Sequence, residues 1–253
     1  MSDVPSRWWG NAGPQTELRV WNDGAAQGTV HLDKPVMMTP ACERRIGLST
    51  DYHPPEIPPP PSVRPYPKDG LVTSGQQPIA AVEAVAPGSP AFIDAAIAVI
   101  DPVARAEQAA INQFTDWNHP FSRKDRAKIP VEIEALYRAP MDDPEWTAFH
   151  FEAVKRYPPG KDDDGCGLVT SASGWMMVGP KDKRTFDLAA RVTYCDRRGV
   201  AYFLPLGLMH LRDRVYWIFQ ASGYEVERYA IVRPTPKRIE FEAGYAAGSC
   251  GGF

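Results

Sequence analysis

The segment TAFHFEAV, Thr147 to Val154, has two readings that lead to different architectures. As a strand it sends Phe149 and Phe151 to one face and His150 and Glu152 to the other, because side chains alternate along an extended backbone. As a helix, Trp146, Phe149, His150, Ala153, Val154 and Tyr157 form one stripe, with Asp143-Pro144 as its start. The aromatic content and the hairpin-like run that follows favour the strand.

From Trp146 onward, apolar and β-branched runs alternate with turn residues at short intervals. WTAFHFEAVKRY, GLVTSASGWMMV, FDLAARVTYC, VAYFLPLGLMHL, RVYWIFQASG, YEVERYAIV and KRIEFE are the runs; PPGKDDDG, GPKDKRT, DRRG, RD, SG and RPTP separate them. This pattern predicts an antiparallel meander over 146–243, closed as a barrel or folded as a sandwich. VYWIFQ is apolar at both parities and reads as central, covered on both faces. In YEVERYAIV the apolar phase shifts between Val226 and Tyr229, which predicts a bulge near Glu227–Arg228.

Upstream, Ser89 and Pro90 make a good helix start before PAFIDAAIAVI. Asp101-Pro102 repeats the signal, so a first helix ends or kinks there and a second follows. Val103, Ala106, Ala110, Ile111, Phe114 and Trp117 form the apolar stripe of that second helix. A third short helix is predicted over Val131 to Tyr137, placing the helices within 89–140.

The first 88 residues differ in kind. All 10 phenylalanines lie after residue 90, and residues 54–67, PPEIPPPPSVRPYP, hold eight prolines. Proline fixes φ and removes a backbone donor, so this stretch reads as polyproline II. The expectation is an extended Pro-rich arm over 1–88 and an α+β domain over 89–253. The arm is a spacer across the protein's own surface or a ligand for a proline-binding module.

Composition narrows the function. With 28 basic and 31 acidic residues the chain lacks the basic footprint of a nucleic-acid binder. No run approaches the roughly 18 apolar residues of a membrane-spanning helix, and MSDVPSRWWGN lacks the apolar core of an export signal. Cys42, Cys166, Cys195 and Cys250 form no CxxC pair, so four free thiols in the cytoplasm are expected.

Three chemical readings remain. His150 and Glu152 on one strand face, with His210 on a later strand, supply two histidines and a carboxylate, which can hold non-haem iron(II) with open positions. The spacing resembles the HxD/E…H pattern of 2-oxoglutarate-dependent oxygenases. That resemblance implies a double-stranded β-helix and His150, Glu152 and His210 as metal ligands; Gln220 stands where the family carries a basic residue for 2-oxoglutarate. The competing reading is a solvated His–Glu pair on an ordinary strand. KDDDGCG lacks the acids an EF-hand loop needs at 160 and 171, where Gly160 and Ser171 stand. Cys166 could serve as a nucleophile beside a histidine. Without a catalytic signature, the leading expectation is a non-catalytic protein-binding or assembly module with a protein partner and no cofactor. The alternative is an iron oxygenase.

Overall fold

The computed structural model describes residues 13, 16–39, 44–53, 71–75, 77–160, 166–223 and 226–249. They are mostly antiparallel β-sheet with some helix. The chain divides into two compact units. One comprises 83–203 and 233–240, the other 1–82, 204–232 and 241–253.

The first of these carries a five-stranded sheet in the order β10-β9-β8-β7-β6. Its strands are β6 (Glu83–Ala84), β7 (Glu132–Pro140), β8 (Thr147–Arg156), β9 (Leu168–Gly179) and β10 (Lys183–Tyr194). TAFHFEAV is therefore the heart of a strand, and β8 is central, with Phe151 set between Leu136 of β7 and Gly174 of β9. Helices α1 (Pro90–Ala98) and α2 (Ile100–Ile111) lie against this sheet. Ala95, Val99 and Val103 pack with Leu136, Phe151, Ala153, Ala172 and Met176 in one core. Burying a side chain such as Phe151 stabilises by about 1.5–3 kcal/mol relative to exposure.

Local chemistry explains the helix ends. The Ser89 hydroxyl accepts from the Phe92 N–H at 3.3 Å, and Pro90 occupies the first turn. The break falls at Val99, two residues before the Asp101-Pro102 signal, and α2 ends at Ile111 short of Phe114 and Trp117. A third helix does form, but as the single turn α3 (Arg123–Arg126). The segment predicted as helix, Val131–Tyr137, is strand β7 instead. It pairs with β8 from Pro140↔Thr147 to Glu132↔Val154, a long-range gain that outweighs its helix propensity.

The other unit contains strands where an arm was expected. A four-stranded sheet runs in the order β3-β2-β1-β4, from β1 (Glu17–Asn22), β2 (Ala25–Met38), β3 (Arg45–Thr50) and β4 (Leu71–Thr73). Asp23 and Gly24 turn β1 into β2 with φ of 47° and 72°, the left-handed pair that a two-residue hairpin loop demands. The polyproline reading of 54–67 lies outside the described residues.

A second five-stranded sheet has the order β14-β13-β12-β11-β5. Its members are β5 (Ile79–Ala80), β11 (Ala201–Leu211), β12 (Arg214–Gly223), β13 (Val226–Pro234) and β14 (Ile239–Ser249); β11, β13 and β14 contribute residues to both units. β12, which holds VYWIFQ, is internal as expected, with Trp217 and Phe219 buried and stacked at 5.7 Å. Two expectations are corrected. β13 pairs with β12 in unbroken register from Val226 to Val232, so no bulge interrupts that pairing at Glu227–Arg228. The sheets also do not close into a barrel; one curves as a half-barrel.

Candidate functional site

A buried polar cluster lies where α2 meets β8 and β9. Phe149, Phe151, Ala153, Lys155 and Tyr157 share a parity on or just beyond β8, so the strand's core face ends in a cation and a phenol. Lys155 is 2% exposed, and burying an ammonium requires a counter-charge. Glu107 of α2 supplies it, accepting from Lys155 Nζ at 2.9 Å, from Thr170 Oγ1 at 2.8 Å and from the Tyr157 hydroxyl. Arg126 of α3 adds a second cation, its Nε 3.4 Å from Glu107. Its other nitrogens donate to the Phe121 carbonyl and to Gln108.

Burial pushes the Glu107 carboxyl up, but the bonds from Tyr157, Lys155 and Thr170 outweigh it and hold the group below the ordinary glutamate range. Burial, together with Glu107's demand for its proton, pushes the Tyr157 phenol up, so Tyr157 is a donor rather than a nucleophile. His119 closes the cluster, 4.8 Å edge-on to Tyr157 and with its basicity lowered by burial and by Arg126. The bonds to Glu107 and Gln108 tie α2 and α3 to the sheet, while Arg126 Nε and His119 Nε2 are buried with no hydrogen-bond partner among the described residues. Sequence reasoning missed the cluster. Its trace was a lysine at a core parity and a glutamate beside Val103 and Ala110 on an otherwise apolar stripe.

His150 and Glu152 lie on the opposite face of β8, as the strand reading requires, but the expectation of a solvated pair is corrected. They are 2% and 8% exposed. The His150 ring meets Trp175 edge-on at 5.0 Å and Phe203 at 5.8 Å, and its Nε2 lies 3.4 Å from the Ser173 hydroxyl. Burial lowers its pKa to about 3, so it is a neutral imidazole. Glu152 accepts from the backbone N–H of Phe203. Nearby, Arg197 forks onto Glu134 with bonds of 2.6 and 2.7 Å, and also reaches the Tyr202 hydroxyl at 2.6 Å. Arg197 has a φ of 55°, the left-handed conformation of the turn after β10.

His210 belongs to the other unit, exposed on β11, where its carbonyl accepts from Gln77. Among the described residues, no three His, Cys, Asp or Glu side chains are grouped to hold a metal ion.

The cysteine expectation is corrected outright for two of the four. Cys166, before β9, and Cys195, after β10, form a disulfide with Cα atoms 5.2 Å apart. The hairpin explains it: Tyr194 pairs with Leu168, so Cys195 falls beside Gly167, and Cys166, the neighbour of Gly167 in the chain, comes within bonding distance. Cys166 is thus no thiol nucleophile. Cys42 and Cys250 lie outside the described residues.

The surface offers a different feature. Ile93, Ile97 and Ile100 occupy positions i, i+4 and i+7 of the α1–α2 segment, 52%, 66% and 48% exposed. α1 buries Ala95 and presents isoleucine on its other side, the pattern of a helix apolar all round. Asp94 and Asp101 border the stripe, and Asp94 pairs with Arg184 at 2.9 Å.

Comparison with protein-family models, with curated proteins and with solved structures finds no match in any of the three. No helix among the described residues is long and apolar enough to cross a membrane.

Proposed function

We propose that this protein is a non-catalytic binding or assembly module for a protein partner. The observation that carries the reading is the isoleucine stripe of α1 and α2. Three half-exposed isoleucines on one helical face are a ready anchor for an apolar partner surface, the kind of contact that large exposed patches mark. Asp94 and Asp101 beside them favour a partner whose apolar face is flanked by Lys or Arg. The buried polar groups support the same reading, because Glu107, Lys155, Arg126 and Glu152 are engaged with each other or with backbone. The proline-rich segment 54–67 is assigned, in the same proposal, to a spacer or a second contact. The Cys166–Cys195 disulfide supports work in an oxidising compartment rather than the cytoplasm expected from sequence.

A photoreactive side chain placed at exposed Ala104, one turn beyond Ile100, tests this in the cells that make the protein. One discrete protein adduct, lost with Ile97→Glu, is the expected result. No protein adduct, or one indifferent to Ile97→Glu, overturns the reading. The alternative, a non-haem iron oxygenase on His150, Glu152 and His210, rests on residue types and spacing, and metal content tests it.

A further inference from the structure

We propose that His119 is an acid-sensitive latch: its neutral imidazole holds the segment between α2 and α3 closed, and a proton on the ring releases it. This device is separate from the isoleucine stripe and does not depend on it. Residues 112–122 join α2 to α3 without forming a helix or a strand of their own. Such a segment is held largely by side-chain contacts, and here they converge on one ring. His119 meets Tyr157 at 4.8 Å and Trp117 at 5.5 Å, both edge-on, and Phe121 at 5.9 Å. Phe121 in turn stacks on Tyr157 at 5.2 Å.

The protonation state of the ring decides the hydrogen bond that completes this packing. His119 Nδ1 accepts from the Phe121 N–H at 3.1 Å, so the neutral ring carries its hydrogen on Nε2. The Phe121 carbonyl accepts from Arg126 at 2.8 Å, which fixes the same residue from its other side. A proton added to the ring goes to Nδ1, where it faces the Phe121 N–H. An acceptor has become a donor, and the bond is lost. The new charge also stands in a cluster where Glu107 already serves both Arg126 and Lys155.

The groups that act on the ring come from each element packed around it. Burial opposes the proton most, followed by Arg126 of α3; Glu107 of α2 and the Phe121 backbone favour it, and Lys155 of β8 opposes it. The balance holds the imidazole below the ordinary histidine range. Tyr157 keeps its phenol proton throughout, because burial pushes it up. The closed segment is therefore fully held above about pH 6.5, where neither the closed nor the open ring is protonated. As pH falls below that, the open form gains a proton that the closed form resists, so opening grows by up to about tenfold per pH unit. His150 differs, since it lies on central strand β8. His119 belongs to a segment paired with no strand, so a local opening suffices to protonate it.

Hydrogen exchange read by mass spectrometry on the full chain, corrected for the intrinsic dependence of exchange on pH, tests the latch. From about pH 7 to about pH 5, protection of 112–122 should fall by about tenfold or more while β8 and β9 keep theirs. His119→Asn, whose side-chain oxygen can accept the same N–H but takes no proton, should keep the segment equally protected at both values. Parent protection that does not fall, a fall shared equally by β8 and β9, or an equal fall in His119→Asn overturns the proposal. Should His119→Asn fail to close the segment at neutral pH, an NMR titration of the parent decides. The His119 ring and the Phe121 amide should then shift with one midpoint below about 6.5. An amide that does not follow the ring overturns the latch.

Discussion

Glu107 is the residue on which the interior of the sheet-and-helix unit depends most. Among the described residues it is the carboxylate paired with both Lys155 and Arg126, and removing one partner of a buried ion pair leaves uncompensated charge where water cannot reach. Glu107→Ala should therefore destabilise by about 3–5 kcal/mol in urea unfolding. A change near zero would show that water or rearrangement neutralises both cations. His150 gives the complementary pH test. Its folded pKa of about 3 lies below that of the unfolded chain, about 6.5. Above pH about 6.5 neither state holds the proton, and the imidazole contributes no pH dependence there. As pH falls from 6.5 toward 3 the unfolded state gains a proton that the folded state does not, so stability drops by up to about 1.4 kcal/mol per pH unit. Measured between pH 5 and 7 (about the range where histidine dominates), that slope should shrink in His150→Gln to the part left by His119, whose basicity burial also lowers. An unchanged slope in the variant would assign it elsewhere.

At the scale of elements, the β9–β10 hairpin shows why some contacts require glycine. Gly174 pairs with Leu188, and a Cβ at 174 would sit 2.4 Å from the Leu188 Cα. Backbone rather than a flexible side chain stands in the way, so Gly174→Ala should cost about 1–3 kcal/mol by forcing the strands apart. A thermal melt unchanged by the substitution would mean the strands separate freely there.

The same elements set what was legible in the chain. Alternation read β8 correctly because Phe149, Phe151 and Ala153 share one buried face, and Ser89-Pro90 announced α1 through local capping chemistry. β7 was misread because its identity comes from pairing with β8, which no window of seven residues contains. The burial of His150 and Glu152 was equally invisible. Parity gave their face, but Phe203, which packs on one and donates to the other, lies some fifty residues away. The Glu107–Lys155 pair, separated by 48 residues, left only out-of-place charges as a trace.

For the molecule as a whole, long-range assembly replaces the expected division at residue 88. β5, from the supposed arm, pairs with β11 through Ile79↔Met209 and Ala80↔Leu208. Loop closure over such separations has no local signature. The Cys166–Cys195 disulfide is of the same kind, created by the β9–β10 register rather than by spacing. Denatured without reductant, the protein should leave Cys166 and Cys195 unreactive toward a thiol reagent and yield them after reduction; four reactive thiols before reduction would contradict the bond.

In the proposed function His150 and Glu152 serve the fold and the protein acts by binding a partner. Metal content per chain, measured on the purified parent and on His150→Ala, tests it most directly. Neither protein should hold stoichiometric transition metal, and His150→Ala should lose stability. Iron at one equivalent per chain in the parent, absent from His150→Ala, would contradict the account and make the oxygenase the better reading.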